Sequence, residues 1–95
     1  LQQKDAVEEG LELYRELHSL YPTTNITYNL ANALVETAIF VSDGAEWLDH
    51  QEQTRAYRAE ARRCYWRVVQ DEDADVELRT QAWTNLANLL TKTYR

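Results

Sequence analysis

The sequence has very few of the residues that end helices, form turns or cross-link chains. It contains two glycines, one proline and no methionine. Because tight turns depend on glycine and proline, such a chain favours a few long helices over many short strands. The single cysteine, Cys64, excludes an intrachain disulfide and argues against a small secreted scaffold. These absences predict an all-α, cytoplasmic protein.

Long apolar runs and an excess of basic charge are also missing. No stretch approaches the roughly 18 consecutive apolar residues of a membrane span, and no signal-peptide pattern is present. The net charge of −6 argues against broad binding to nucleic acid. The 95 residues fit one domain, 1–95, and because the chain starts at Leu1 we expect it to be part of a longer protein.

Apolar residues recur at helical spacing in four segments of the chain. We predict helices from about Lys4 to Leu20, from Thr23 or Thr24 to about Val41, from about Asp43 to Gln70, and from Val76 to about Tyr94. Pro22 ends the first helix because the residue before a proline is pushed out of the α region. Asp43 and Glu46 have the spacing of a capping box, and Asp75 is a natural cap for the fourth helix. The first helix is expected to turn Val7, Leu11, Tyr14 and Leu17 inward.

One short phrase occurs twice. The letters "NLANAL" at Asn29–Leu34 return as "NLANLL" at Asn85–Leu90. A shift of 56 residues places the apolar set Leu30, Ala31, Leu34 and Ala38 on Leu86, Ala87, Leu90 and Tyr94. The same shift places the polar set Asn25, Asn29, Asn32 and Glu36 on Gln81, Asn85, Asn88 and Lys92. Two helices whose apolar faces match and whose polar faces also match are expected to lie in equivalent environments, as such helices do in a repeat protein.

These patterns resemble the tetratricopeptide repeat. The first helix of such a repeat has an aromatic residue, a Leu–small pair and a further large residue. The chain has Trp83, Leu86, Ala87 and Leu90 at those positions. Earlier in the chain, Leu30, Ala31 and Leu34 fit the same pattern, but Thr27 stands where the aromatic residue is expected. The second helix has a small residue, an aromatic, an apolar residue and a proline. The corresponding sets are Gly10, Tyr14, Leu17 and Pro22, then Ala61, Tyr65, Val68 and Asp73, where Asp replaces Pro.

The resemblance implies four antiparallel helices arranged as helical hairpins. The period of 56 residues is longer than the usual 34, which corresponds to about three extra turns on each helix of a pair. The alternative is a closed four-helix bundle with the same packing pattern.

The resemblance also implies a function in protein–protein interaction, with no enzymatic activity. In the family, first helices line a concave groove, where an Asn can hold the backbone of an extended peptide. Asn32 and Asn88 fall at that position, and the expected contact residues for a protein or peptide partner are Tyr28, Asn32, Glu36, Thr84, Asn88 and Lys92. The carboxylate-clamp variant of the family has a Lys one turn earlier, where this chain has Tyr28 and Thr84, which counts against recognition of a C-terminal carboxylate. A purely structural role for the Asn residues, bonding across to neighbouring helices, is an equal alternative.

No pattern of catalytic or metal-binding residues emerges from the sequence. Asp71, Asp73 and Asp75 have the spacing that opens a calcium loop, but Val76 and Ala82 stand where that loop needs Gly and Glu. His18 and His50 have no second His or Cys at ligand spacing. We therefore expect no enzyme activity, no metal site and no cofactor.

Two further functions compete with peptide binding. Arg55, Arg58 and Arg62 form one stripe on the third helix, beside aromatic residues, which is typical of a single-stranded RNA surface. The negative net charge disfavours this interpretation, and the acidic first helix offers compensating charge. The second competitor is a homodimer or assembly module, because the chain ends on a first-type helix whose usual partner is missing.

Overall fold

Four α-helices make up most of the part of the protein that the structure describes. The computed structural model describes residues 2–42 and 47–91, and the all-α prediction is confirmed for them. The helices are α1 (Gln2–Leu20), α2 (Thr24–Ser42), α3 (Trp47–Gln70) and α4 (Val76–Thr91). None of these four helices is long and apolar enough to cross a membrane. The expected capping box at Asp43 and Glu46 lies outside the described residues.

The connection between α1 and α2 follows from three adjacent residues, Tyr21, Pro22 and Thr23. The backbone N–H of Tyr21 still bonds to the carbonyl of Leu17 at 2.8 Å, and Pro22 then ends the helix. Thr23 caps α2, because its hydroxyl accepts the N–H of Ile26 at 3.2 Å and its carbonyl accepts the N–H of Thr27 at 2.9 Å. The predicted cap is therefore confirmed.

The acidic connection between α3 and α4 is held by Asp71. Its carboxylate accepts the backbone N–H of Asp73 at 3.1 Å and the hydroxyl of Thr24 at the start of α2. These bonds, the one from Thr24 foremost, lower the pKa of Asp71 because they favour its charged form. Asp75 opens α4, since its carbonyl accepts the N–H of Arg79 at 3.0 Å. The linker expected to cap α4 thus also anchors the beginning of α2.

The helices pack in chain order, α1 on α2, α2 on α3 and α3 on α4. Pairs such as Thr24 with Asp71 and Asn32 with Tyr65 show that α2 and α3 are antiparallel. Side chains also link alternate helices, since Arg15 of α1 bonds to Glu60 of α3 at 2.7 Å. The smallest extent of the molecule is 17 Å, which fits two layers of helices whose axes are about 8–10 Å apart.

The core surrounds the contact between α2 and α3. Its buried members are Leu11, Leu30, Ala31, Leu34, Ala61, Cys64, Tyr65, Val68, Val69, Ala82, Leu86 and Leu89. Helix α2 is buried most completely, because it packs between α1 and α3. Cys64 belongs to this core, and burial raises the pKa of its thiol.

The buried face of α4 differs from the one that the repeated phrase predicts. On α2 the apolar set is buried throughout, but Ala87 and Leu90 of α4 are exposed, so the expectation of equivalent environments is wrong at these positions. Leu89 is 3% exposed and Leu90 61% exposed. Helix α4 packs closely against α3 alone, and it turns toward that neighbour the face that carries Ala82, Leu86 and Leu89.

Helix α1 is also buried on a narrower face than expected. Leu11 is buried, whereas Tyr14 and Leu17 are partly exposed and Leu13 is largely exposed. Arg15 carries the ion pair to α3, so the basic residue is on α1 and the acidic one on α3. This polarity is the reverse of the compensation predicted between an acidic α1 and the arginines of α3.

The register of α4 can be tested with two adjacent leucines. We expect Leu89→Ala to lower the free energy of unfolding by about 2–5 kcal/mol, because it opens a cavity in the core. Leu90→Ala should change it by less than about 0.5 kcal/mol in dilute solution, because that side chain is exposed. Urea denaturation at low protein concentration measures both, and the opposite order would contradict the observed register.

The bond from Thr24 to Asp71 predicts a pH-dependent contribution to stability. Because the folded-state pKa of Asp71 is lowered, its contribution is fully present above the unfolded pKa of about 3.9 and is lost as the pH falls through the folded value. Asp71→Asn should therefore lower the melting temperature at neutral pH and make little difference near pH ~2. Asp73→Asn, which removes an exposed charge two residues away, is the control. If Asp71→Asn lowered the melting temperature equally at neutral and at low pH, the charged form of Asp71 would not be the source of the stabilisation.

Candidate binding grooves

A concave surface lies between α2 and α4, on the side of the molecule that carries the repeated Asn residues. We call this surface the Asn groove, and its volume is about 280 Å³. It is lined by Asn32, Val35, Glu36, Ile39, Tyr65, Asn85, Asn88 and Leu89. One part of the lining is made of amide side chains and a phenol, and another of aliphatic side chains. Two helices that share the same sequence phrase thus form the two walls of one groove.

A hydrogen-bond network of two tyrosines and two asparagines builds the wall. The hydroxyl of Tyr65 donates to Oδ1 of Asn32, and Nδ2 of Asn85 donates to the same oxygen at 3.3 Å and to the hydroxyl of Tyr28 at 3.0 Å. The rings of Tyr28 and Tyr65 meet edge to face with centroids 6.0 Å apart. The network joins α2, α3 and α4 and fixes their relative positions.

The protonation state of Tyr65 is set by its surroundings. The side chain is buried, and this burial raises its pKa well above the ordinary value for a phenol. Tyr65 is therefore neutral throughout the physiological range and donates its proton to Asn32. Since Oδ1 of Asn32 accepts two bonds, the Nδ2 hydrogens of this residue are the ones left to face a ligand.

Three residues predicted from the sequence line the Asn groove, namely Asn32, Glu36 and Asn88. Tyr28 does not line the groove, and its hydroxyl accepts a hydrogen bond from Asn85, which does. Thr84 is exposed and does not line the groove; its hydroxyl donates to the carbonyl of Thr80 at 3.0 Å. Lys92 lies outside the described residues.

The sequence interpretation missed Asn85 and Tyr65 as groove residues. Asn85 belongs to the repeated polar set, and its bonds to α2 are of the kind that the structural alternative for the Asn residues predicts. Tyr65 was matched to the aromatic position of a second helix in the repeat pattern, and it is both buried and part of the lining. Asn32 and Asn85 have the packing role that was the alternative to peptide binding, whereas Asn88 is exposed.

A second, more apolar surface lies on the other side of α4. We call it the terminal groove; its volume is about 420 Å³, and it is lined by Arg62, Arg63, Trp66, Trp83, Leu86, Ala87 and Leu90. Trp66 and Trp83 are 46% and 49% exposed, and their rings meet edge to face at 5.7 Å. Most of the exposed lining is carbon, flanked by two guanidinium groups.

The arginines proposed for RNA do not share one environment. Arg55 and Arg62 are exposed, whereas Arg58 is half-buried and donates to the carbonyl of Leu89 at 3.2 Å. Arg58 therefore ties α3 to α4, while Arg62 belongs to the terminal groove.

A polar cavity of about 260 Å³ lies at the turn between α1 and α2. Nε2 of His18 and the hydroxyl of Thr27 are 3.0 Å apart, and this hydroxyl donates to the carbonyl of Thr23. His18 is therefore the donor to Thr27, and its role here is to hold the turn. Within residues 2–42 and 47–91 no group of three or more His, Cys, Asp or Glu side chains could hold a metal ion. The side chain of His50 is not among those described.

In comparisons with known proteins, the chain matches no family model, no curated protein and no solved structure.

The Tyr65–Asn32 bond can be tested by removing a single oxygen. Tyr65→Phe should lower the free energy of unfolding by about 1 kcal/mol, because the ring still fills its site while the hydrogen bond is lost. Tyr21→Phe, at an exposed tyrosine, should leave stability unchanged. Chemical denaturation followed by circular dichroism measures both variants. If Tyr65→Phe leaves stability as unchanged as Tyr21→Phe does, the Tyr65–Asn32 bond contributes nothing to stability.

Proposed function

We propose that this domain is a non-enzymatic, cytoplasmic interaction module that binds an extended peptide segment of another protein in the Asn groove. The observation that carries the proposal is the pairing of amide donors and acceptors with an aliphatic surface inside one concave wall. A tetratricopeptide-like arrangement of the helices is part of the same proposal. Its support is that helices pack in chain order and that the two Asn-bearing helices face one groove.

An extended peptide has the chemistry that the groove complements. Its backbone offers alternating N–H and C=O groups, and an asparagine amide can donate to one and accept from the other. Asn88 is exposed and offers both groups, while Asn32 offers its Nδ2 hydrogens. Because Asn32 is held by Tyr65 and Asn85, little side-chain entropy is lost when it binds.

The remaining lining selects the side chains of the peptide. Val35 and Ile39, beside the buried Leu89, present an aliphatic surface that suits one apolar anchor residue, which would supply most of the affinity. Glu36 is an exposed carboxylate at the same groove, so a basic residue beside the anchor is favoured. We therefore expect the preferred ligand to combine one apolar and one basic residue in an extended segment.

Selection from a display library of random peptides tests this proposal. We expect enriched sequences to share an apolar anchor and a nearby Lys or Arg, and Asn88→Ala and Glu36→Gln to weaken the binding of a selected peptide by about tenfold each. Fluorescence anisotropy with a labelled synthetic peptide measures the change.

The matched control is Asn29→Ala, an exposed asparagine on α2 that does not line the groove. It should leave peptide affinity unchanged. If no sequence is enriched, or if the Asn29 and Asn88 variants weaken binding equally, the groove is not the binding site.

A further inference from the structure

Within the part of the chain that the structure describes, α1 and α4 each leave an apolar face uncovered. Helices α2 and α3 pack closely against two other helices, while α1 and α4 each pack closely against one. Leu13 of α1 is 67% exposed, and on α4 the half-exposed Trp83 and the largely exposed Leu90 belong to the terminal groove. Exposed apolar patches of this kind mark interaction surfaces.

The register of the repeated helices shows what the terminal groove lacks. A shift of 56 residues places Thr27, Ala31 and Leu34 of α2 on Trp83, Ala87 and Leu90 of α4. The three residues of α2 are buried, since α2 is covered by α1 and α3. Helix α3 packs against α4 as α1 packs against α2. Within residues 2–42 and 47–91, no helix occupies the place against α4 that α3 takes against α2.

The register of the other two helices shows which surface could fill that place. A shift of 51 residues aligns Leu13, Tyr14 and Leu17 of α1 with Cys64, Tyr65 and Val68 of α3. The residues of α3 are buried in the core that α3 forms with α2. Their counterparts on α1 are exposed to different degrees. Helix α1 therefore presents a face of the same kind as the one that α3 packs against α2. Such a face is what the uncovered side of α4 would accept.

We propose that α1 of a second copy of this chain docks in the terminal groove, in the position against α4 that α3 takes against α2. Copies would then associate end to end, and the order of helices would continue from α4 of one copy into α1 of the next. This inference depends on the register of the helices and not on peptide binding in the Asn groove.

Charge complementarity supports a second copy as the occupant. The outer face of α1 carries Glu8, Glu9, Glu12 and Glu16 around Leu13. The terminal groove carries Arg62 and Arg63 in a protein whose net charge is −6. Acidic and basic surfaces flanking apolar residues steer such a contact and fix its orientation. A two-fold contact of two terminal grooves would instead set these arginines against each other, which disfavours it.

The register also predicts one hydrogen bond across the contact. Within the chain, the hydroxyl of Tyr65 donates to Oδ1 of Asn32. The counterparts of these two residues are Tyr14 and Asn88, both of which are exposed. We expect Tyr14 of one copy to donate to Asn88 of the next. Asn32 lines the Asn groove while it makes its bond, so the association extends that groove and does not cover it.

The test uses two variants that block opposite ends. Leu90→Glu places a carboxylate in the terminal groove, and Leu13→Lys places an ammonium on the outer face of α1. Both positions are exposed, so the fold is expected to remain intact, which circular dichroism checks. By sedimentation velocity the unaltered chain should grow beyond two copies as its concentration rises, because a head-to-tail contact does not close on itself. Each variant alone should remain a monomer.

A mixture of the two variants distinguishes the modes of association. The intact α1 face of the Leu90→Glu chain can dock on the intact groove of the Leu13→Lys chain, so a one-to-one dimer should form and grow no further. Val76→Glu, an exposed apolar position on α4 outside the groove, should associate like the unaltered chain. Tyr14→Phe should weaken association by about fivefold.

Three results would overturn the proposal. A chain that stays monomeric at every concentration excludes self-association. A dimer that Leu90→Glu abolishes and Leu13→Lys leaves intact indicates a two-fold contact of terminal grooves. A monomer that binds a single-stranded oligouridylate, with affinity that falls steeply with salt, assigns the arginines and tryptophans of the groove to RNA.

Discussion

The packing of α2 against α3 is the contact on which the rest of the structure depends. Ala31 and Ala61 are small enough to let the two helices approach closely, and Leu34 and Val68 fill the space around them. Burial of a side chain the size of Leu34 or Val68 contributes about 1.5–3 kcal/mol. Both grooves are bounded by α4, which packs on the outer side of this pair. If α2 and α3 separated, Tyr65 would no longer reach Asn32, and the wall of the Asn groove would be lost.

The polar network adds a directional constraint that apolar packing does not supply. Leucine side chains tolerate small shifts of one helix along another, whereas a hydrogen bond requires a defined distance and angle. Asn32, Tyr65 and Asn85 belong to three different helices and meet at one amide oxygen. Their bonds therefore fix the register of α2, α3 and α4 together, and the same side chains present their remaining polar atoms to the groove.

The sequence predicts local features of this fold well, because the residues that decide them are neighbours in the chain. Pro22 and Thr23 are sufficient to place the end of α1 and the start of α2. The buried face of α4 depends instead on which helices lie beside it, and Leu89 and Leu90 are equally good candidates from spacing alone. The Asn groove was foreseen through Asn32 and Asn88, whereas the bonds of Asn85 depend on a helix more than 50 residues away. Thr84 occupies the predicted turn but is exposed and does not line the groove, which the spacing of the repeated segment alone does not reveal.

The buried thiol of Cys64 allows the central contact to be followed without introducing a new residue. Thiol reagents attack the thiolate, and a cysteine that is buried and has a raised pKa reacts only when the surrounding structure opens. Cys64 is the only cysteine in the sequence and lies on α3, within the core shared with α2. The rate at which it is alkylated under native conditions therefore reports how often this part of the core opens. The molecule thus carries its own kinetic probe at the contact that supports both of its surfaces.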